Sequence, residues 1–350
     1  MNKKTKQFLF KISLLFLLTW GIIEVLYDFN PYQKHDLENS YTATIIDKYA
    51  RLQSLKSPKI VLIAGSNFAY GINSKMIEDS LHKPVANMAM HYDYGTDFML
   101  QQITPELHKG DTVIMGFEYI ISSGGNFKEK ILMTNLFPKA KDWFSYKVND
   151  DELKQNNILV KTFPATTDFF SGINRVICYI GENTQVRVSS FRLTLERLFK
   201  GKSAEASVAD TTNIFFRKAI NQYGDLISHF NNPRVNPIPR SIINDKVSFM
   251  KPIANMNAFY EKMQKIGVKV FYVYPSYAES SFQFDKEIIE KLQTALENDA
   301  RFPIIGKPED FVYADSLCQD MVYHLNVKGR DIRTQQLIEK VKENKLVNSR

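Results

Sequence analysis

Residues Lys59 to Gly71 read KIVLIAGSNFAYG. An unbroken aliphatic run, Ile60 to Ala64, stops at Gly65-Ser66-Asn67. Such a run reads as a strand buried on both faces that ends in a tight turn. In an open parallel sheet the carboxyl ends of the strands face the crevice where ligands bind. Gly65 lets the main chain turn sharply. Ser66 then presents its hydroxyl to the crevice beside backbone N–H groups, as a candidate nucleophile. Gly, Ser and Asn are also ordinary turn formers, so this stretch alone places a strand end and no chemistry.

Downstream the pattern alternates. Asn73 or Ser74 caps a helix to about Leu81, and Val85 to Met90 is a second apolar run. A helix starting at Gly95 or Thr96 runs to Leu107 and closes at Gly110, and Asp111 to Tyr119 is a third strand. Strand, helix, strand, helix, strand implies right-handed crossovers and a parallel sheet. The pattern then breaks from Ile121 to about Phe249, a stretch expected to be a helical and loop insertion over one side of the sheet. Within it lie the acidic step Asn149 to Glu152, a helix near Ser190 to Phe199, and Tyr223-Gly224-Asp225 with His229, which either face a substrate or simply pack. Order returns with a helix from about Lys251 to Ile266, a strand Val268 to Pro275, a helix Asp285 to Glu297 and a strand Phe302 to Ile305. A loop, Asp315 to Arg330, leads to a last helix, Asp331 to Glu343. The expected fold is a flavodoxin-like three-layer α/β fold, whose strand order would be 2-1-3-4-5.

Upstream, residues 1–7 carry lysines, and Phe8 to Tyr27 read FLFKISLLFLLTWGIIEVLY. As a helix this segment spans about 30 Å, the thickness of a bilayer core. Lys11 and Glu24 lie near its ends, where charged side chains reach the headgroups. The basic flank predicts a cytoplasmic amino terminus with the rest of the chain outside. A cleaved signal peptide is the alternative, but no small-residue cleavage site follows. Residues 28–58 form a juxtamembrane stalk or a docking helix, with Tyr41, Ile45, Tyr49 and Leu52 at helical spacing.

Composition bounds the rest. The 350 residues carry a net charge of +7, with 13% aromatic and 24% charged residues, which suits a globular protein. The lysines are dispersed, so no nucleic-acid-binding patch is read. Neither a zinc-spaced Cys/His pattern nor a phosphate-cradling glycine motif follows the first strand, and no metal or cofactor is expected. Cys178 and Cys318 are the only cysteines, and sequence does not show whether they meet.

The last loop, DSLCQDMVYHLNVKGR, places His324 four residues after Asp320. A serine needs a base to become nucleophilic, and that base needs an acceptor to orient it. Asp320 is the first candidate acceptor and Asp315 the reserve. Taken together, Gly65-Ser66 after strand one, Asn87 to Gly95 (NMAMHYDYG) after strand two, and Asp320 with His324 after the last strand resemble the SGNH (GDSL-like) hydrolases over about Lys59 to Glu343. The resemblance implies that Ser66 is the nucleophile, His324 the base and Asp320 the acid. It implies an oxyanion hole from the N–H groups of Ser66 and Gly95, with Asn67 as a substitute donor. The chain departs from the family pattern in three places. Gly65 stands where an aspartate is usual, Glu118 stands near the usual asparagine of the third block, and the Asp-to-His spacing is four, not three.

The membrane-anchored branch of that family acts in acyl transfer to cell-surface polymers, such as O-acetylation of alginate-like polysaccharides and D-alanylation of teichoic acids. Three functions follow as expectations. The first is an anchored extracytoplasmic esterase or O-acyltransferase acting on acyl, above all acetyl, groups of carbohydrate. The second is a degenerate component that binds polymer or assembles with a multi-pass acyltransferase. The third is a membrane-proximal lipase with Phe169-Phe170 and Phe215-Phe216 in a lid.

Overall fold

The computed structural model describes residues 2–28, 38–144, 216–240, 243 and 248–344. The expected features at Asn149 to Glu152, Ser190 to Phe199, Phe169-Phe170, Phe215 and Cys178 lie outside the described residues. The chain divides into two units, one holding residues 1–38 and 148–209, the other 39–147 and 210–350.

In the first unit, α1 (Lys3–Asp28) is a continuous helix. Its segment Lys3–Ile22 is long and apolar enough to cross a membrane.

The second unit is built on a parallel sheet. Its strands are β1 (Ile60–Ile63), β2 (Val85–Asn87), β3 (Thr112–Met115), β4 (Lys269–Val273) and β6 (Ile304–Ile305), in the order β2-β1-β3-β4-β6. Ile60 stands opposite both Val85 and Thr112, and all four pairings are parallel. β1 and β3 are buried along their whole length, in keeping with the aliphatic run of β1 and the largely apolar run of β3 after Thr112. A second, two-residue pairing joins β5 (Tyr277–Ala278) to β7 (Val312–Tyr313).

The intervening helices are α3 (Ser66–Gly71), α4 (Ser74–Leu81), α5 (Gly95–Ile103), α6 (Phe127–Leu136), α7 (Met250–Lys265), α8 (Glu279–Asp299) and α9 (Val327–Glu343). α4 contacts α9, while α5 contacts α7 and α7 contacts α8. Right-handed crossovers place these two groups on opposite faces of the sheet. The chain leaves β1 toward β2 on one side and returns to β3 on the other. The crevice of such a sheet opens at this reversal, between the carboxyl ends of β1 and β3. At the opposite ends of the same strands, Asp111 accepts from Lys59 N (3.0 Å) and His108 N (2.9 Å) and pairs with Lys59 Nζ at 3.2 Å, both side chains being buried.

The helix α2 (Thr44–Ser54) precedes β1. Of the two readings of this stretch, stalk or docked helix, its packing is that of a docked helix. Ile45, Tyr49 and Leu52 are buried, and Arg51 donates from Nε to the Val85 carbonyl at 2.7 Å. The compact unit therefore starts at Asn39, ahead of the Lys59 strand. Lys48, also buried, donates to the carbonyls of Asn87 (3.1 Å) and Gly224 (2.5 Å). The residue after Gly224, Asp225, accepts from Ser74 N, Ser74 Oγ and Asn87 Nδ2. This buried network ties residues 221–225 to the β2 edge, so Tyr223, Gly224 and Asp225 serve packing here.

Burial pulls the Lys48 ammonium down to about 7, against a smaller upward pull from Asp225. An unfolded lysine titrates near ~10.4. Between these values the unfolded chain holds a proton that the folded chain has released, so stability rises with pH across the window. The unfolding free energy of the parent, relative to Lys48→Met, is expected to rise by roughly 1 kcal/mol per pH unit between about 7 and 10. Chemical denaturation across that range checks it, and a pH-independent difference contradicts it.

Candidate active site

Ser66 is the first residue of α3, and Gly65 is its N-cap with extended backbone (φ −73°, ψ −157°). The turn thus makes no demand for a left-handed residue. The glycine is required by space instead: a Cβ at position 65 would lie 2.1 Å from Glu118 Oε2. Glu118 follows β3 and reaches across the sheet reversal, where it is almost fully buried. Its Oε2 accepts from Gly65 N (3.1 Å) and its Oε1 from Asn67 N (2.8 Å). Of the N–H groups at this helix end, that of Ser66 lies between the two that Glu118 holds and has no intrahelical acceptor.

The loop before α9 brings the other polar groups. Cys318 bridges Leu325 in antiparallel fashion, Gln319 N donates to the His324 carbonyl (2.8 Å), and His324 N donates to the Met321 carbonyl (3.1 Å). The four-residue spacing is thereby folded back on itself, and Asp320 faces His324 across the turn. His324 Nδ1 lies 2.9 Å from Asp320 Oδ1, and Nε2 lies 2.8 Å from Ser66 Oγ. With the proton on Nδ1, the imidazole donates to the carboxylate and accepts from the serine hydroxyl. Ser66 is 8% exposed and His324 6%. Burial raises the Asp320 pKa, but the hydrogen bond to His324 leads the contributions that outweigh it, and the net shift is downward. Asp320 therefore stays ionised throughout the neutral range. Asp315 is engaged elsewhere, accepting from Ser280 N.

The structure thus brings together Ser66, His324 and Asp320. Two further expected donors are not free. Asn67 is fully buried, with Nδ2 donating to the Gly116 carbonyl (2.7 Å) and Oδ1 accepting from Arg333 (2.8 Å), so its amide holds the helix in place and does not face the serine. Gly95 N donates to the Tyr92 carbonyl. Gly95 adopts φ +75° and packs against the backbone of Gly124 and Gly125, where a Cβ would come within 2.5 Å of Gly125 N. Both are corrections to the expected oxyanion hole, leaving the Ser66 N–H as the member of that set without an acceptor among the described residues. Ser276 and Tyr277, at the end of β4, also serve packing: Ser276 Oγ donates to the Tyr323 carbonyl, and Tyr277 belongs to β5.

Tyr70 and Arg333 at the site escape sequence reasoning, whereas His229, expected either to face a substrate or to pack, packs on Tyr70. Tyr70 lies four residues after Ser66, hence on the same face of α3. Its ring stacks on the His324 imidazole, with centroids 3.6 Å apart and planes at 8°. The signal for it was the helical spacing from Ser66. Burial, then the Asp320 charge, push the Tyr70 phenol up, so it stays neutral. His229 packs on the other ring contact of Tyr70 (4.5 Å) and holds the Leu325 carbonyl through Nε2 at 3.2 Å. Burial pulls His229 down to about 3, so it is uncharged at neutral pH. Residues 232–235 strap the same loop, with Gln319 Nε2 donating to the Asn232 carbonyl and Val235 N to the Gln319 carbonyl.

Arg333, on α9, is buried beneath α3 and donates to the Asn67 carbonyl (2.9 Å), Asn67 Oδ1 and Ser276 Oγ (3.1 Å). Burial pulls its guanidinium down to about 10, so it remains charged at neutral pH. Cys318 is a buried free thiol whose pKa burial raises to about 12, which leaves it unreactive.

No known family model matches the chain, and no curated protein matches it.

Proposed function

We propose that the protein is a membrane-anchored, extracytoplasmic serine esterase or O-acyltransferase of the SGNH type, acting on acyl groups of cell-surface carbohydrate. The observation that carries this reading is the continuous chain Ser66 Oγ–His324–Asp320, at 2.8 and 2.9 Å. It lies at the sheet reversal, where open α/β sheets bind ligands.

In the first step the Ser66 oxygen attacks the acyl carbonyl while His324 Nε2 takes the hydroxyl proton. Asp320 stabilises the imidazolium that forms. The tetrahedral oxyanion receives the Ser66 N–H. Collapse expels the alcohol, which takes the proton from His324, and leaves an acyl-Ser66. In the second half His324 deprotonates either water or a sugar hydroxyl, giving hydrolysis or transfer. The apolar segment of α1 would hold the chain at the membrane, with the lysines of residues 2–6 on the cytoplasmic side. The acyl donor is then an ester substrate or a multi-pass acyltransferase beside it.

The test is incubation of the purified protein with a small acetyl ester and with an acetylated oligosaccharide, each with and without an unacetylated oligosaccharide acceptor. Mass spectrometry then reads free acetate against transferred acetyl. The expected result is Ser66-dependent turnover, with Ser66→Ala at the background rate. A parent no faster than Ser66→Ala on every substrate contradicts the reading. The commitment of Gly95 and Asn67 to other partners favours one second reading, a non-catalytic component that binds polymer, and that result would select it.

A further inference from the structure

A helix usually caps its own first N–H groups with a short polar side chain at the residue before it. In α3 that residue is Gly65, which has no side chain. The N–H that such a cap would take, Asn67 N at the second helical position, is instead held by Glu118 from the end of β3 (2.8 Å). The other Glu118 oxygen holds Gly65 N (3.1 Å), so one carboxylate grips the main chain on both sides of Ser66. The space is used only once. A Cβ built on Gly65 would fall within 2.1 to 2.5 Å of three atoms of that carboxylate.

We propose that Glu118 is a positioning residue for Ser66, a cap supplied by the neighbouring strand in place of the side chain missing at position 65. It fixes the nucleophile's main chain across the sheet reversal, so the Ser66 Oγ meets His324 Nε2 without an adjustment of the helix end. Carboxylate and glycine form one device: either alone is incompatible with the site, and a carboxylate at position 65 takes over when that of Glu118 is removed. This inference rests on the proposed nucleophilic role of Ser66 for its kinetic half only.

Five full-length proteins test it: the parent, Glu118→Ala, Gly65→Asp, and the doubles Gly65→Asp/Glu118→Ala and Gly65→Ala/Glu118→Ala. The readouts are the second-order rate of fluorophosphonate capture and the thermal unfolding midpoint. Glu118→Ala is expected to slow capture by about 100-fold, the scale of a small misplacement of reacting groups. Gly65→Asp is expected to lower the midpoint and abolish capture, because two carboxylates compete for one space. The Asp/Ala double regains a midpoint near the parent's and capture within about tenfold of it. The Ala/Ala double relieves the clash but not the missing cap, and stays slow.

Capture by Glu118→Ala at the parental rate overturns the inference. So does an Asp/Ala double no better than the slower single variant, or an Ala/Ala double as fast as the Asp/Ala one. A parent inert to the probe overturns the serine-nucleophile reading. The cap is then decided by the midpoints alone, and additive effects of the two single substitutions overturn it.

Discussion

Replacing His324 by alanine is expected to slow fluorophosphonate capture at Ser66 by about 10⁴-fold or more. The serine hydroxyl has His324 Nε2 at 2.8 Å, and no other base is placed on it among the described residues. Without the imidazole, Ser66 reacts only as an ordinary alcohol with one flanking N–H. Asp320→Asn is expected to have a smaller effect, about 10²- to 10⁴-fold, because an asparagine can present its NH₂ to Nδ1 and favour the wrong tautomer. The same order of effects is expected for turnover of a small acetyl ester. Circular dichroism and the unfolding midpoint separate loss of chemistry from loss of fold. A His324→Ala variant that is folded and captured within tenfold of the parent contradicts the base assignment.

The second large effect is on stability. Arg333→Ala is expected to destabilise the second unit by about 3–5 kcal/mol. The loss leaves three buried acceptors, Asn67 O, Asn67 Oδ1 and Ser276 Oγ, without their charged donor. It also removes the guanidinium that lies over the Phe68 ring, 5.0 Å from its centroid. Arg333→Lys is expected to recover only part of this, since one ammonium cannot reproduce the planar fork that serves two positions on Asn67. Lys328→Ala, an exposed change on the same helix, serves as the control and is expected within about 0.5 kcal/mol of the parent. Urea denaturation measures all three. An Arg333→Ala variant as stable as Lys328→Ala contradicts the view that α9 holds the nucleophile's helix from below.

The parts of the fold that were legible in the sequence are those written in local patterns. Ile60 to Ile63 and Thr112 to Met115 are buried on both faces, and strands buried on both faces read as near-continuous apolar runs. Asn73 declares the start of α4 and does accept from Met76 N, at 3.3 Å. Gly267, at φ +75°, ends the helix before β4, as a left-handed C-terminal glycine does. Two helices start earlier than expected. α8 begins at Glu279, ahead of the expected Asp285, and α9 begins at Val327 because Asn326 caps it by accepting from Gly329 N.

The site was legible only as residue types at strand ends. Ser66 could be named because it follows β1, and the Asp320–His324 pair because the last loop carries a base with a carboxylate close by in sequence, although the strand just before it, β7, belongs to the separate β5–β7 pairing. Their partners could not, because those come from distant parts of the chain. Glu118 takes the place of a side chain at position 65, and Arg333 answers to Asn67 across 266 residues of sequence. The expected roles of Gly95 and Asn67 fail for a related reason. Sequence shows that a residue carries a donor, but not that another carbonyl already holds it. The helix α2 illustrates the same point for packing, since an amphipathic stretch does not reveal which surface covers its apolar face.

The most direct test of the central claim is the intact mass of the parent protein after treatment with a fluorophosphonate, followed by peptide mapping. A single adduct on Ser66 is expected, lost in Ser66→Ala and suppressed in His324→Ala. A folded parent that takes up no adduct, or an adduct on another residue with Ser66 unmodified, would contradict it.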